Sequence, residues 1–264
     1  MNQPFAYIHP AAKLAESVIV EPFVSISKNV EIGEGTWIGP HVTIMEGARI
    51  GKNCKIFPGA VISAVPQDLK YAGEESTVEI GDNVTIREYV TVNRGTQHSM
   101  TTKVGNNCLL MAYVHVAHDC FIGNNCILAN NVNLAGHITI DDYAILGGAC
   151  NIQQFTKIGK HSILSGGSLV NKDIPPYVRA ARHPTAYAGI NSIGLRRRSF
   201  TNEQINAIQQ VYRVLYLQGL NTSQALKVIE REIPSSPEKD EIVTFVRASV
   251  RGIMKGFNSS KYED

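Results

Sequence analysis

From Ile8 onward every sixth residue is aliphatic: Ile8, Leu14, Val20, Ile26, Ile32, Ile38, Ile44, Ile50, Ile56 and Ile62. The phase returns at Ile80, Ile86 and Val92, and again from Val104 through Leu110, Val116, Ile122 and Leu128 to Val170. Of the 28 positions in this register 25 are Ile, Leu or Val. These types supply 65 of the 264 residues, so chance would place about seven there. Four residues after each aliphatic runs a second column of small or β-branched residues, among them Ala12, Val24, Thr36, Ala48, Cys54, Cys108, Cys120, Cys126 and Cys150. Between the columns Gly35, Gly47, Asn53, Gly59, Asn83, Asn107, Asn125 and Asn131 share one position, which predicts a left-handed backbone there. Each hexad therefore reads as a short strand and a tight corner, and the whole as a repeat solenoid.

Two stretches break the phase, 63–79 and 93–103, where Asp68, Glu74 and His98 replace aliphatics. Both are expected to be loops thrown out from a coil, and loops on a rigid scaffold often carry binding groups. Beyond Val170 the pattern changes. Thr201 with Gln204 predicts a capping box and a helix through Leu217; Thr222 starts a second helix; Ser236-Pro237 starts a third, expected to run to about Lys255. The domains are expected at 1–190 and 191–264.

Composition alters this picture little. Charged residues are 18% and aromatics 7%, with 22 glycines, which suits a repeat of small turns. All five cysteines fall in the small-residue column, so they are expected to be buried, without disulfide or nucleophilic roles. Residues 156–200 hold eight Lys or Arg against the single acid Asp173, a stretch suited to an anion. The chain has no apolar run long enough to span a bilayer and no leader pattern, so a cytoplasmic protein without an integral membrane segment is expected.

Candidate chemistry follows from the repeat. With three hexads per coil, residues eighteen apart stack about 4.8 Å from one another. His118, Gly136 and Gln154 then share one stack and Asp119, His137 and Phe155 the next, with His115 close by; His9, His41 and His161 are expected to be exposed. One reading is general-base catalysis: a neutral imidazole takes a hydroxyl proton during attack on a thioester, Asp119 fixes the His118 tautomer, and the Gly136 amide stabilises an oxyanion. Another is a zinc site built from the three histidines. A third is a structural β-helix with no chemistry. The repeat alone leaves them open.

The hexads resemble the bacterial hexapeptide-repeat family, whose fold is a left-handed parallel β-helix; here that implies a solenoid followed by a small α-helical C-terminal domain. The chain more closely resembles the UDP-N-acetylglucosamine O-acyltransferases that begin lipid A synthesis, through QDLKYAGE (67–74), RGT (94–96), HVAHDC (115–120), ILANN (127–131), LAGH (134–137), IPPY (174–177) and GLRRRSF (194–200). That resemblance implies transfer of a 3-hydroxyacyl chain from acyl carrier protein to the 3-hydroxyl of UDP-N-acetylglucosamine by a homotrimer, with no cofactor, metal or nucleic acid. It implies His118 as base, Asp119 as its orienting partner and Gly136 as oxyanion donor. Asp68, Lys70, His115, His137 and Gln154 would contact the substrates, Asn191, Arg197 and Arg198 the UDP portion, and Gly166 the acyl end. Lys172, Arg179 and Arg182 are candidates to receive the acidic carrier protein. The chain departs from the family pattern at Gln153, Pro184 and Ile193, which bears on nucleotide preference and acyl selectivity. The related N-acyltransferases carry a further N-terminal domain; with the repeat beginning at Ile8, an O-acyltransferase without that domain is the expectation.

Overall fold

The structure is a computed structural model, and it describes residues 5–256. Two-residue strands recur every six residues and form three parallel sheets, so each coil is a triangle. The first sheet runs from Tyr7–Ile8 to Leu169–Val170, the second from Lys13–Leu14 to Lys157–Ile158, and the third from Ile19–Val20 through Ile163–Leu164. The chain is a left-handed parallel β-helix with a helical C-terminal region. Its core is the aliphatic column itself: Ile26, Ile38, Ile44, Ile56, Ile62, Leu110 and Leu128 are fully buried.

The corners explain how so short a strand can turn so sharply. The column holding Gly35, Asn53, Asn83, Asn107 and Asn125 has positive φ, between 53° and 69°. The same conformation is imposed on bulkier residues, including Tyr89, Tyr113, Asp119, His137, Tyr143, Phe155 and His161. An L-residue gives up roughly 1–2 kcal/mol there, and the arrangement piles these side chains into columns. The five cysteines are buried, and each thiol donates to a corner carbonyl, as Cys120 does to Ala135 O at 3.1 Å. Burial pushes the Cys120 thiol up to about 12.

The strand register shows what the phase breaks are. Tyr7 pairs with Ser25 and His115 with Asn133, eighteen apart, but Val61 pairs with Thr91 and Thr91 with His115. The separations of 30 and 24 exceed eighteen by twelve and six, so the insertions amount to two hexads and one, and the period survives them. The strands Val61–Ala64, Thr77–Ile80 and Thr101–Val104 take in the ends of both stretches, which leaves loops at 65–76 and 94–100, shorter than the pattern suggested.

After the last coil, Val178–Ala181 continues the third sheet in parallel, Ala186–Ile190 pairs with it antiparallel, and Lys255–Gly256 joins that strand. The helices are α1 (Ser192–Arg197), α2 (Asn202–Leu217), α3 (Thr222–Glu232) and α4 (Pro237–Arg247). Capping boxes at Thr201/Gln204 and Asn221/Gln224 start α2 and α3. The last helix stops eight residues before Lys255. Gly252 takes φ 71°, and the segment after α4 docks instead on the final coil, where Met254 N donates to Asp173 O at 2.9 Å and Ser249 Oγ to Asp173 Oδ2 at 2.6 Å.

Candidate active site

Both loops leave the solenoid at one corner, between the first and second sheets, and that corner also carries His118. Asp119 is 1% exposed at its centre. Its Oδ1 accepts from Thr96 N at 3.0 Å, Ser99 N at 3.2 Å and Ser99 Oγ; its Oδ2 accepts from Thr96 Oγ1 at 2.6 Å and lies 2.8 Å from His118 Nδ1. Burial alone would push this carboxyl up, but the hydrogen bonds from Ser99, Thr96 and His118 outweigh it and hold it down to about 2. An ionised Asp119 has no proton to give, so His118 Nδ1 is the donor of the pair, and in the neutral imidazole this tautomer puts the lone pair on Nε2.

His118 Nε2 lies 3.9 Å from Asp68 Oδ2, a carboxylate of the first loop. The other Asp68 oxygen accepts from the Lys70 amide at 3.0 Å, while the Lys70 side chain is exposed. Gly136 stacks on the His118 ring so closely that a Cβ there would meet its Cε1 at 2.5 Å and Nε2 at 2.7 Å. The Gly136 carbonyl accepts from Phe155 N at 3.2 Å, and its amide has no hydrogen-bond partner among the described residues.

His137 packs flat against Phe155, with centroids 4.4 Å apart and planes 4° apart, and meets the edges of His118 and His98. Its buried Nδ1 has no hydrogen bond within the described residues and sits 3.7 Å from Asp119 Oδ2. Burial lowers its basicity, Asp119 works against that, and His118 and His98 add to it. His115 Nδ1 lies 2.7 Å from Thr91 Oγ1, and burial followed by the nearby His118 lowers it too. The periodic pattern does not reveal the clamp of Thr96 and Ser99 or the contact of His98; the RGT motif and the polar break at His98 were the available signals.

A groove of about 490 Å³ starts beside His115 and crosses the first sheet past Asn133, Ala135, Asn151 and Gln153 to Leu169. Four stacked strands give it a length of about 14 Å. Gly166 lies on the corner that precedes Leu169, diagonally across the sheet from His118, and a Cβ there would come 3.0 Å from Gly148 O. Gln154 is exposed beside Phe155. A larger hollow, about 1250 Å³, follows Gly33, Gly51, Gly81, Gly105 and Gly123 along the second sheet. It is a shallow strip where side chains are missing, and it contains none of the histidines.

Known proteins resemble the chain along most of its length. Residues 173–254 match the family model described as UDP N-acetylglucosamine O-acyltransferase, domain 2, and residues 29–64 and 101–136 match that of the bacterial transferase hexapeptide. Acyl-[acyl-carrier-protein]–UDP-N-acetylglucosamine O-acyltransferases from Chlorobaculum parvum and a Sulfurihydrogenibium species are 60% and 58% identical, over 78% and 95% of this chain and 79% and 93% of theirs. The crystal structure of the UDP-N-acetylglucosamine acyltransferase from Bacteroides fragilis is 54% identical, with a TM-score of 0.94 over 97% of this chain and 100% of that one. The chain belongs to the UDP-N-acetylglucosamine O-acyltransferase family. It is an acyltransferase of lipid A biosynthesis.

Other residues expected at an O-acyltransferase site lie elsewhere in the chain. Asn191, Arg197 and Arg198 belong to the segment around α1, which rests on the corner between the second and third sheets. Asn191 is 7% exposed and engaged at both ends: Nδ2 donates to His161 O at 2.9 Å, and Oδ1 accepts from Gly194 N at 3.2 Å to cap α1. Arg197 is exposed, and Arg198 is half-buried over Tyr143, 5.1 Å from the ring centroid. Ile193 is 65% exposed, and Pro184 directly follows His183. His161 is 6% exposed, contrary to the expectation of an open corner. The C-terminal region covers it, through Phe200 and Tyr177. Among the described residues no helix is long and apolar enough to cross a membrane.

Proposed function

We propose that this acyltransferase moves a 3-hydroxyacyl chain from acyl carrier protein to the 3-hydroxyl of UDP-N-acetylglucosamine, with His118 as general base and no covalent enzyme intermediate. The observation that carries this reading is the Asp119–His118 pair, which turns Nδ1 to the carboxylate and leaves Nε2 as the ring nitrogen free to take a proton, beside the Gly136 backbone. The sugar oxygen attacks the thioester carbonyl carbon as His118 Nε2 takes its proton. The negative charge on the carbonyl oxygen is met by the Gly136 amide. When the C–S bond breaks, the imidazolium returns the proton to the leaving sulfur. Asp68 and Lys70 of the first loop, with His115, His137 and Gln154, contact the substrates around His118. The groove across the first sheet holds the acyl chain, and Gly166 stands where its far end stops. The family's named relatives support the donor and acceptor.

The geometry favours this reading over a zinc site built from the three histidines, because among the described residues His118 and His137 converge on Asp119 without His115, whose Nδ1 lies 2.7 Å from Thr91 Oγ1 instead. Ligand atoms on a tetrahedral zinc at about 2.0–2.1 Å stand about 3.3 Å apart, whereas His118 Nδ1 and Asp119 Oδ2 are 2.8 Å apart, at hydrogen-bond separation. The remaining Asp119 acceptor capacity is taken up by Thr96 and Ser99.

His118 and Arg198 occupy different corners of the prism, so both reach one sugar nucleotide only if a neighbouring copy supplies the arginines. A homotrimer with the second sheets toward the three-fold axis brings the His118 corner of each chain against the Arg198 corner of a neighbour. The test of the chemistry is consumption of 3-hydroxyacyl carrier protein by purified protein. It should require UDP-N-acetylglucosamine and vanish in His118→Ala while that variant still binds the nucleotide sugar; turnover retained in His118→Ala removes His118 from the base role.

A further inference from the structure

Arg198 is mounted on a column of rings. Its guanidinium covers the Tyr143 ring, and its nitrogens donate to Tyr143 O and Gly194 O, each at 3.4 Å. Beneath Tyr143 lies His161, stacked at 4.8 Å with planes 6° apart, and beneath His161 lies Tyr177, at 5.7 Å and 13°. Phe200 closes the column edge-on, 5.2 Å from His161. The three stacked residues occupy consecutive coils in the left-handed conformation, φ 62°, 56° and 66°.

The same column anchors both ends of the arginine-bearing segment. At its start, Asn191 N donates to Tyr177 O at 2.7 Å and Asn191 Nδ2 to His161 O at 2.9 Å. At its end, Arg198 rests on Tyr143. The foot of the column is pinned where the Tyr177 hydroxyl donates to Glu241, which also pairs with Lys160 at 2.9 Å. His161 is the central ring, and its buried Nδ1 has no hydrogen bond within the described residues. His161 therefore contributes through the flat faces of its ring and through its backbone carbonyl, and not through a polar contact of that nitrogen. Burial, then the nearby Arg198 and Lys160, keep it uncharged near neutrality, with only Asp142 opposing.

We propose that His161 is a positioning residue for nucleotide binding: its ring, clamped between Tyr143 and Tyr177, holds Arg198 and the start of α1 in the geometry that receives the UDP diphosphate. This rests on the reading that Arg197 and Arg198 hold the nucleotide. A stacked aromatic contact of this kind is worth enough to change affinity about tenfold.

The test measures UDP binding by calorimetry and steady-state kinetics on the full-length protein. His161→Leu should weaken UDP about tenfold and raise KM for the nucleotide sugar, with kcat within about threefold. His161→Phe, which restores a flat ring, should recover UDP affinity to within about twofold. A purely structural role would lower the melting temperature without separating KM from kcat. Tyr143→Leu, at a half-buried position, carries the same expectation should His161→Leu not fold. Wild-type UDP affinity in His161→Leu or Tyr143→Leu overturns the proposal, as does failure of His161→Phe to rescue. Arg198→Ala separates the two readings: if it leaves UDP affinity intact, the nucleotide assignment fails and takes the proposal with it. If Arg198→Ala weakens UDP and the column variants do not, only the role of His161 falls.

Discussion

At neutral pH Asp119 carries its full charge, because five hydrogen bonds from Thr96, Ser99 and His118 hold its carboxyl down to about 2. That anion dictates the His118 tautomer, so Asp119→Asn should lower kcat about 10²- to 10⁴-fold with little change in KM, as measured by initial rates on saturating donor. Gly136→Ala tests the other side of the ring. Its Cβ would stand 2.5 Å from His118 Cε1, so the imidazole must swing away, and turnover should collapse while the melting temperature, set by the buried column, moves little. His161 gives a residue-scale prediction in pH. Its folded value is near 4 and its unfolded value near 6.5, so as pH falls below about 6.5 the unfolded chain takes up the proton first. Stability from this residue is therefore whole above that pH and is lost toward pH 4, by at most about 3 kcal/mol. Asp119 acts in a separate, lower window, since its contribution is present above about 3.9 and lost as pH falls toward 2. Urea melts at pH 7 and pH 4.5 should show the wild type losing more stability between them than His161→Phe; equal losses would mean His161 does not titrate in that window.

At the scale of the element, stability is passed from coil to coil. Each coil contacts only its neighbours, and a buried aliphatic removed from the middle leaves a cavity that two flanking coils cannot fill. Leu128 is fully buried, so Leu128→Ala should cost about 2–5 kcal/mol in denaturant melts. Leu14, half-buried near one end of the solenoid, should cost clearly less. This one-dimensional character is also why so much of the fold is legible in the sequence. Whether Ile44 or Cys120 is buried depends on its phase, and phase is local information. The loops show only as absences of phase. Their register is recoverable, as insertions of two hexads and one, but not the way residues 94–100 fold back to bring Thr96 and Ser99 onto Asp119, because nothing in a non-periodic loop encodes where its hydroxyls point. His161 is misread for the opposite reason. Its position in the repeat is that of an open corner, and the residues that bury it, Tyr177, Asn191 and Phe200, come from later in the chain. The end of α4 at Arg247 is likewise set by a tertiary competitor, the final coil's Asp173, which captures Gly252, Met254 and Ser249.

The whole molecule raises the question of where one active site is assembled. His118, Asp119 and Gly136 sit on the corner between the first and second sheets, whereas Tyr143, His161 and Arg198 sit on the corner between the second and third. In a prism these edges face different directions, and the second sheet lies between them. If a three-fold axis runs along that sheet, the alternating column Lys13, Glu31, Arg49, Glu79 and Lys103, whose members pair from coil to coil as in Lys13–Glu31 at 3.1 Å and Lys103–Glu79 at 2.7 Å, turns inward. Each site then combines one chain's base with its neighbour's arginines. Co-expression of His118→Ala and Arg198→Ala chains, each inactive or nearly so by itself, tests this directly. In randomly mixed trimers a site is intact when the Arg198→Ala chain supplies His118 and the His118→Ala chain supplies Arg198. With equal expression that holds for about one interface in four. Activity of the purified mixture should therefore recover to about a quarter of wild type, with sedimentation confirming three chains per particle. A site contained within one protomer would give no recovery at any mixing ratio, and that result would return both corners to the same chain.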